Sequence, residues 1–85
     1  MRDHALFDKI DLHLIRVLHT VLVERSVSRA ALRLHMHQPA VSAALKRLRA
    51  LADDPLLVRS GSGMMPTDAG QRMVEPAAAI LRAAE

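Results

Sequence analysis

The sequence predicts a mostly α-helical fold, with a three-helix core, a small β-hairpin and a further helix after it. Three observations carry this. Of the 85 residues 51% are apolar, enough to build a core. That content is Leu, Val, Ala and Met, with Phe7 the single aromatic, and such a mixture favours helices over strands. Four stretches repeat their apolar residues at helical spacing, while Ser60-Gly61-Ser62-Gly63 separates two short apolar runs as a hairpin turn does.

The first helix is expected from Asp11 to Glu24. Asp11 is a suitable N-cap, and Leu12, Ile15, Leu18 and Leu22 form one apolar stripe. Leu14, Val17 and Val21 form a second, so this helix is expected to be covered on two sides. Ser28 reads as the N-cap of a short second helix reaching Leu34, with Ala30 and Ala31 as its packing face. After the connection His35-Met36-His37, a third helix opens at Gln38-Pro39, where proline is tolerated because first-turn N–H groups lack helical partners. It is expected to end near Leu51. Val41, Ala44, Leu45 and Leu48 fall on one side, with Gln38, Ser42, Lys46 and Arg49 on the other.

Leu56 to Arg59 reads as a strand and Met64-Met65 as its return. Thr67 then caps a fourth helix with Asp68 at its positive end, and Met73, Ala77, Ile80, Leu81 and Ala84 give it an apolar stripe. Pro76 predicts a kink or break near Glu75. No stop signal follows, so a longer protein is expected.

A chain of this length supports one core. Twelve Lys and Arg against nine Asp and Glu leave a formal charge of +3, which draws a small domain toward polyanions. Lys46, Arg47, Arg49 and Arg59 share one stretch, whereas Asp8, Asp11, Asp53 and Asp54 lie to either side of it or within it. Absence of cysteine excludes disulfides, thiol chemistry and Cys-ligated zinc, and is consistent with the cytoplasm. The start Met-Arg-Asp-His is not a signal peptide, and Leu12 to Val23, broken by Arg16 and His19, is too short to span a bilayer.

Two short helices joined by a tight turn, the second with a polar face, form a helix-turn-helix, and a hairpin after them makes the winged variant. The second helix must enter a major groove, which asks for short or hydrogen-bonding residues in its first turns. Gln38 suits paired hydrogen bonds to adenine, Ser42 allows close approach, and Ala43 can touch a thymine methyl. Lys46 and Arg49, further along, suit phosphates.

The stretch ERSVSRAALRLHMHQPAVSAALKRLRALADDPLLVRSGSGMMPTDAG resembles the N-terminal domain of LysR-type transcriptional regulators, above all the nodulation and aromatic-catabolism subgroup. QPAVS, LKRLR, DPLLVR and PT at fitting intervals carry the likeness, from about Asp11 to at least Gly70. The resemblance implies a winged helix-turn-helix over residues 1–66 and a linker helix for dimerisation over residues 67–85. It also implies a duplex-DNA partner and a homodimer (a tetramer in the whole protein), with a small-molecule effector bound only in a C-terminal domain outside this chain. Expected DNA contacts are Ser28, Arg29, Gln38, Pro39, Ser42, Ala43, Lys46, Arg49, Arg59 and Ser62. Expected dimer contacts are Leu14, Val17, Val21, Met73, Ala77, Ile80, Leu81 and Ala84. Family members often carry a long polar residue at the position of Ala43, arginine at that of Ser62, and Ser or Thr at that of His37.

Blander readings stand beside these. A polar helix face is often simply solvated, Arg59 could pair with Asp53 or Asp54, and the apolar stripes could form an internal core. His35 and His37 do not share a helix face and have no companion ligand, so neither a metal nor another cofactor is expected. Ser28, Ser42, Ser60 and Ser62 lie in no strained nucleophile turn, so no enzyme is expected. The competing function is a winged-helix module for protein–protein contact without DNA binding.

Overall fold

The computed structural model describes residues 11–85; Phe7, Asp8 and the start of the expected 1–66 domain lie outside them. The elements follow in the order α1 (Leu12–Glu24), α2 (Val27–Leu34), α3 (Gln38–Ala52), β1 (Leu57–Ser60), β2 (Gly63–Pro66) and α4 (Asp68–Ala83).

Asp11 caps α1 as its sequence position suggests, its carboxylate accepting from the Leu14 N–H at 2.8 Å. Leu14, Val17, Leu18, Val21 and Leu22 are all buried, the i, i+3, i+4 pattern of one broad face. α2 packs on that face along with α3, and α4 packs along α1 as well. Gly70 of α4 lies against Leu22, and Met73 shares an apolar groove with Ile15 and Leu18, so the two helices run in opposite directions.

This packing corrects the assignment of Leu14, Val17 and Val21 to a dimer seam. Val17 and Val21 are 0% exposed within the single chain, and Leu14 is buried beside them. The second stripe of α1 is covered by the chain's own helices.

The cap of α2 also moves. Ser26, not Ser28, accepts from the Arg29 N–H at 3.1 Å, and the helix therefore begins at Val27. α2 ends at His35, which takes the left-handed conformation (φ 55°) and donates its N–H to Ala31 and Leu32 carbonyls. α3 starts with Pro39 in its first turn and His37 as an N-cap that makes no side-chain bond. Val41, Ala44, Leu45 and Leu48 bury its inner face.

The hairpin pairs Leu57 with Pro66, Val58 with Met65, Arg59 with Met64 and Ser60 with Gly63. Leu56 stays out of the strand because its backbone is left-handed (φ 64°) while its side chain is fully buried. Burial of a leucine side chain, worth about 1.5–3 kcal/mol, offsets the roughly 1–2 kcal/mol of that conformation. α4 runs unbroken through Pro76, contrary to a break near Glu75. Pro76 is exposed, so the Arg72 carbonyl that lacks a helical partner can be solvated. Met73 and Val74 pack on the core and Ala77 is buried, which makes the first half of α4 part of the domain body.

Candidate nucleic-acid interface

The start of α2, the start of α3 and the hairpin enclose an open cleft of about 570 Å³. Ser26, Ser28 and Arg29 line it from α2 and its cap, Gln38 from α3, and Arg59, Ser62, Gly63 and Met64 from the hairpin. Arg25, in the turn between α1 and α2, closes one side. Residues distant in sequence therefore share one concave surface. Three are arginines and none is acidic.

Local structure fixes each contributor. Because Ser26 holds the α2 cap, Ser28 is exposed in the first turn, its Oγ 3.1 Å from that of Ser26. Arg29 follows, exposed on the same helix. Arg59 lies two residues after the buried Leu57 and so shares its face of the strand, but it stands beyond the edge of the core, where it is exposed and lines the cleft. Arg33 pairs with Glu24 at 2.6 Å, and among the described residues Arg59 makes no ion pair with Asp53 or Asp54.

Beside the cleft, α3 presents Pro39, Ser42, Ala43 and Lys46, all exposed on its outward side together with Gln38. Arg49 leaves this row. Its Nε donates to the Pro55 carbonyl at 2.8 Å and its Nη2 to the Leu57 carbonyl at 3.1 Å. The chain folds back over the last turn of α3, and Arg49 satisfies two carbonyls there. These two bonds make Arg49 a brace beneath the hairpin.

Asp54 reinforces the same junction. Its Oδ2 accepts from the Thr67 hydroxyl at 2.6 Å and from the Leu56 N–H at 2.7 Å, while Thr67 Oγ1 accepts from the Gly70 N–H at 3.0 Å. The Thr67 hydroxyl, then the Leu56 N–H, hold the Asp54 carboxyl below its ordinary pKa, with Arg72 adding to this and burial opposing it. Hairpin base, α3 end and α4 start are thus tied together.

Sequence reasoning missed Arg25, Ser26 and Met64 as cleft residues and Asp54 as a junction residue. Ser26 had a signal, since it stands three residues before Arg29, the spacing of a side-chain cap. Arg25 had none, because its place follows from how the turn after α1 faces the hairpin. At the far end of α4, Ile80 is 45% exposed, Leu81 half-buried and Ala84 exposed. Met73 and Ala77 of the expected seam instead face inward.

A family described as bacterial regulatory helix-turn-helix protein, lysR family, matches residues 12–71, from the first residue of α1 into α4. The chain belongs to this family. Its LysR-type relatives include the transcriptional activator NahR of Pseudomonas putida, 46% identical over 74 residues, which are 87% of this chain and 25% of NahR. The probable transcriptional regulator PA0477 of Pseudomonas aeruginosa superposes with a TM-score of 0.84 at 39% identity, over 94% of this chain and 27% of that one. A CbnR_DBD–DNA complex superposes with a TM-score of 0.79 at 31% identity, over 88% of this chain and 86% of that one. The chain thus spans about a quarter of the length of NahR and PA0477 and nearly all of the CbnR_DBD chain. The fold is the LysR-type winged helix-turn-helix.

Proposed function

We propose that this chain is the DNA-binding part of a LysR-type transcription regulator and reads duplex DNA as a homodimer, with α3 in the major groove. The observation that carries this is a basic cleft without an acid in its lining, continuous with the exposed face of α3. Gln38 and Ser42 reach base edges, Ala43 offers a methyl contact, and Ser28, Arg29, Lys46 and Arg59 hold the phosphates. Pro39 shapes the first turn of the recognition helix, and Ser62 lies at the hairpin tip beside the flanking backbone. The likeness to a domain solved on DNA supports the same docking.

The homodimer is assigned to the end of α4, where Ile80, Leu81 and Ala84 remain outside the core. Two-fold pairing sets two recognition helices on half-sites one DNA turn apart, roughly 34–36 Å, or a multiple of it. A tetramer and a small-molecule effector belong to the rest of the protein, outside these 85 residues. The site of action is the cytoplasm, where bacterial DNA lies; among the described residues no helix is long and apolar enough to cross a membrane.

Binding of the chain to a labelled duplex, followed by fluorescence anisotropy from about 50 to 200 mM salt, tests the reading. Affinity should fall by about tenfold or more over this range. A flat response, or no binding at low salt, would favour the protein–protein module.

A further inference from the structure

We infer that Arg25 is a phosphate-contacting residue, placed on the wall of the cleft to meet a DNA backbone phosphate together with Arg29 and Arg59. This rests on the reading of the cleft as the DNA side of the domain. Three observations converge on it.

Arg25 first occupies a backbone position that does not want an arginine. It ends α1 in the left-handed region at φ 55°, its N–H donating to the Val21 carbonyl. Glycine adopts this conformation without steric cost, so the turn itself gives no reason for a long cationic side chain.

Second, the charge of Arg25 is not neutralised by an acid among the described residues. Its neighbour Glu24 turns to Arg33, at 2.6 Å. The Arg25 Nη1 instead donates to the Met65 thioether sulfur at 3.2 Å, an exposed contact with a weak, neutral acceptor. An anion would replace that acceptor at little loss, since a charge-assisted hydrogen bond to phosphate is much the stronger.

Third, the Met65 contact sets the guanidinium where the hairpin meets the turn after α1, on the rim of the cleft that Arg29 and Arg59 also line. Like charges gathered around a concavity without an acid in its lining raise the local potential for an anion. A phosphodiester fits this arrangement because its two free oxygens can accept from guanidinium groups on opposite walls.

Arg25→Gly separates contact from folding, because it removes the cation while suiting the backbone. Melting temperature and binding to a mixed-sequence duplex of about 25 base pairs should be measured for the wild-type chain, Arg25→Gly and Arg25→Lys. The melting temperature of Arg25→Gly should equal or exceed that of the wild type. Its slope of log affinity against log salt should be flatter by about 0.9, the loss of one phosphate contact. Arg25→Lys should restore most of the slope. A steep wild-type slope that Arg25→Gly leaves unchanged would overturn the assignment of Arg25 alone. A wild-type affinity indifferent to salt would overturn the DNA reading and this assignment with it.

Discussion

Gln38 and Lys46 lie exposed on one face of α3, yet their chemistry differs. The Gln38 amide carries a donor and an acceptor that can match one base, whereas the Lys46 ammonium meets any phosphate equally. Gln38→Ala should therefore relax preference at one base position and cost about 1–3 kcal/mol on the preferred site, while Lys46→Ala should weaken all duplexes alike. Competition with single-base variants of a bound site separates the two outcomes; equal, sequence-independent losses would remove Gln38 from base readout. Arg49 provides the contrast. Its two bonds to carbonyls at the hairpin base predict that Arg49→Ala lowers the urea midpoint, by about 1–2 kcal/mol of stability, without flattening the salt slope. At this scale the sequence was legible where chemistry is local: the Asp11 cap and the outward set of Gln38, Ser42 and Lys46 follow from spacing alone. Arg49 lies on the same helical row, and its bonds to the returning chain are something no helical wheel contains. Ser26 and Ser28 were both chemically able to cap α2, and the register of the α1–α2 turn chose between them.

The hairpin and α4 depend on one junction. Gly70 is buried there because a Cβ at this position would collide with the Leu56 carbonyl and press on the Leu22 side chain. Gly70→Ala should destabilise the domain by about 1–3 kcal/mol, the range for overpacking, read from chemical denaturation. No loss would mean that α4 does not approach Leu56 this closely. The Asp54–Thr67 bond adds a pH signature. The folded-state carboxyl lies below its ordinary value, so Asp54 stabilises the domain fully above that value, and this contribution fades as pH falls through the lower folded-state pKa. Melting curves of the wild type and Thr67→Val should therefore differ most at neutral pH and draw closer as the pH falls below that of an ordinary carboxylate, leaving the pH-independent loss of the Thr67 cap on Gly70. A gap that stays constant at all pH values would show that Asp54 is not the partner responsible. The elements themselves were largely legible, with boundaries within one or two residues. Pro76 misled because an exposed proline can be carried inside a helix whose buried residues hold both sides of it.

At the scale of the whole molecule, the two apolar stripes of α1 were read correctly but given the wrong partner. Spacing shows that Leu14, Val17 and Val21 must be covered; that α4 turns back to cover α1 is a tertiary fact. Less of the expected seam is then left for a second copy, and what remains of it lies at the end of α4. Ile80→Asp should leave the melting temperature nearly unchanged, since Ile80 is 45% exposed, while shifting sedimentation toward monomer and weakening binding to paired half-sites more than to one. Wild-type sedimentation as a monomer at high micromolar concentration would contradict a dimer of this chain. The cleft joins residues from Arg25 to Met64, and was legible only in part because its walls meet through folding. The central claim is that this assembled surface selects DNA sequence, and selection of bound molecules from a pool of random duplexes tests it most directly. Enrichment of one motif, in paired half-sites about one helical turn apart and loosened at a single position by Gln38→Ala, is the predicted result. A recovered pool no different from the starting pool would contradict it.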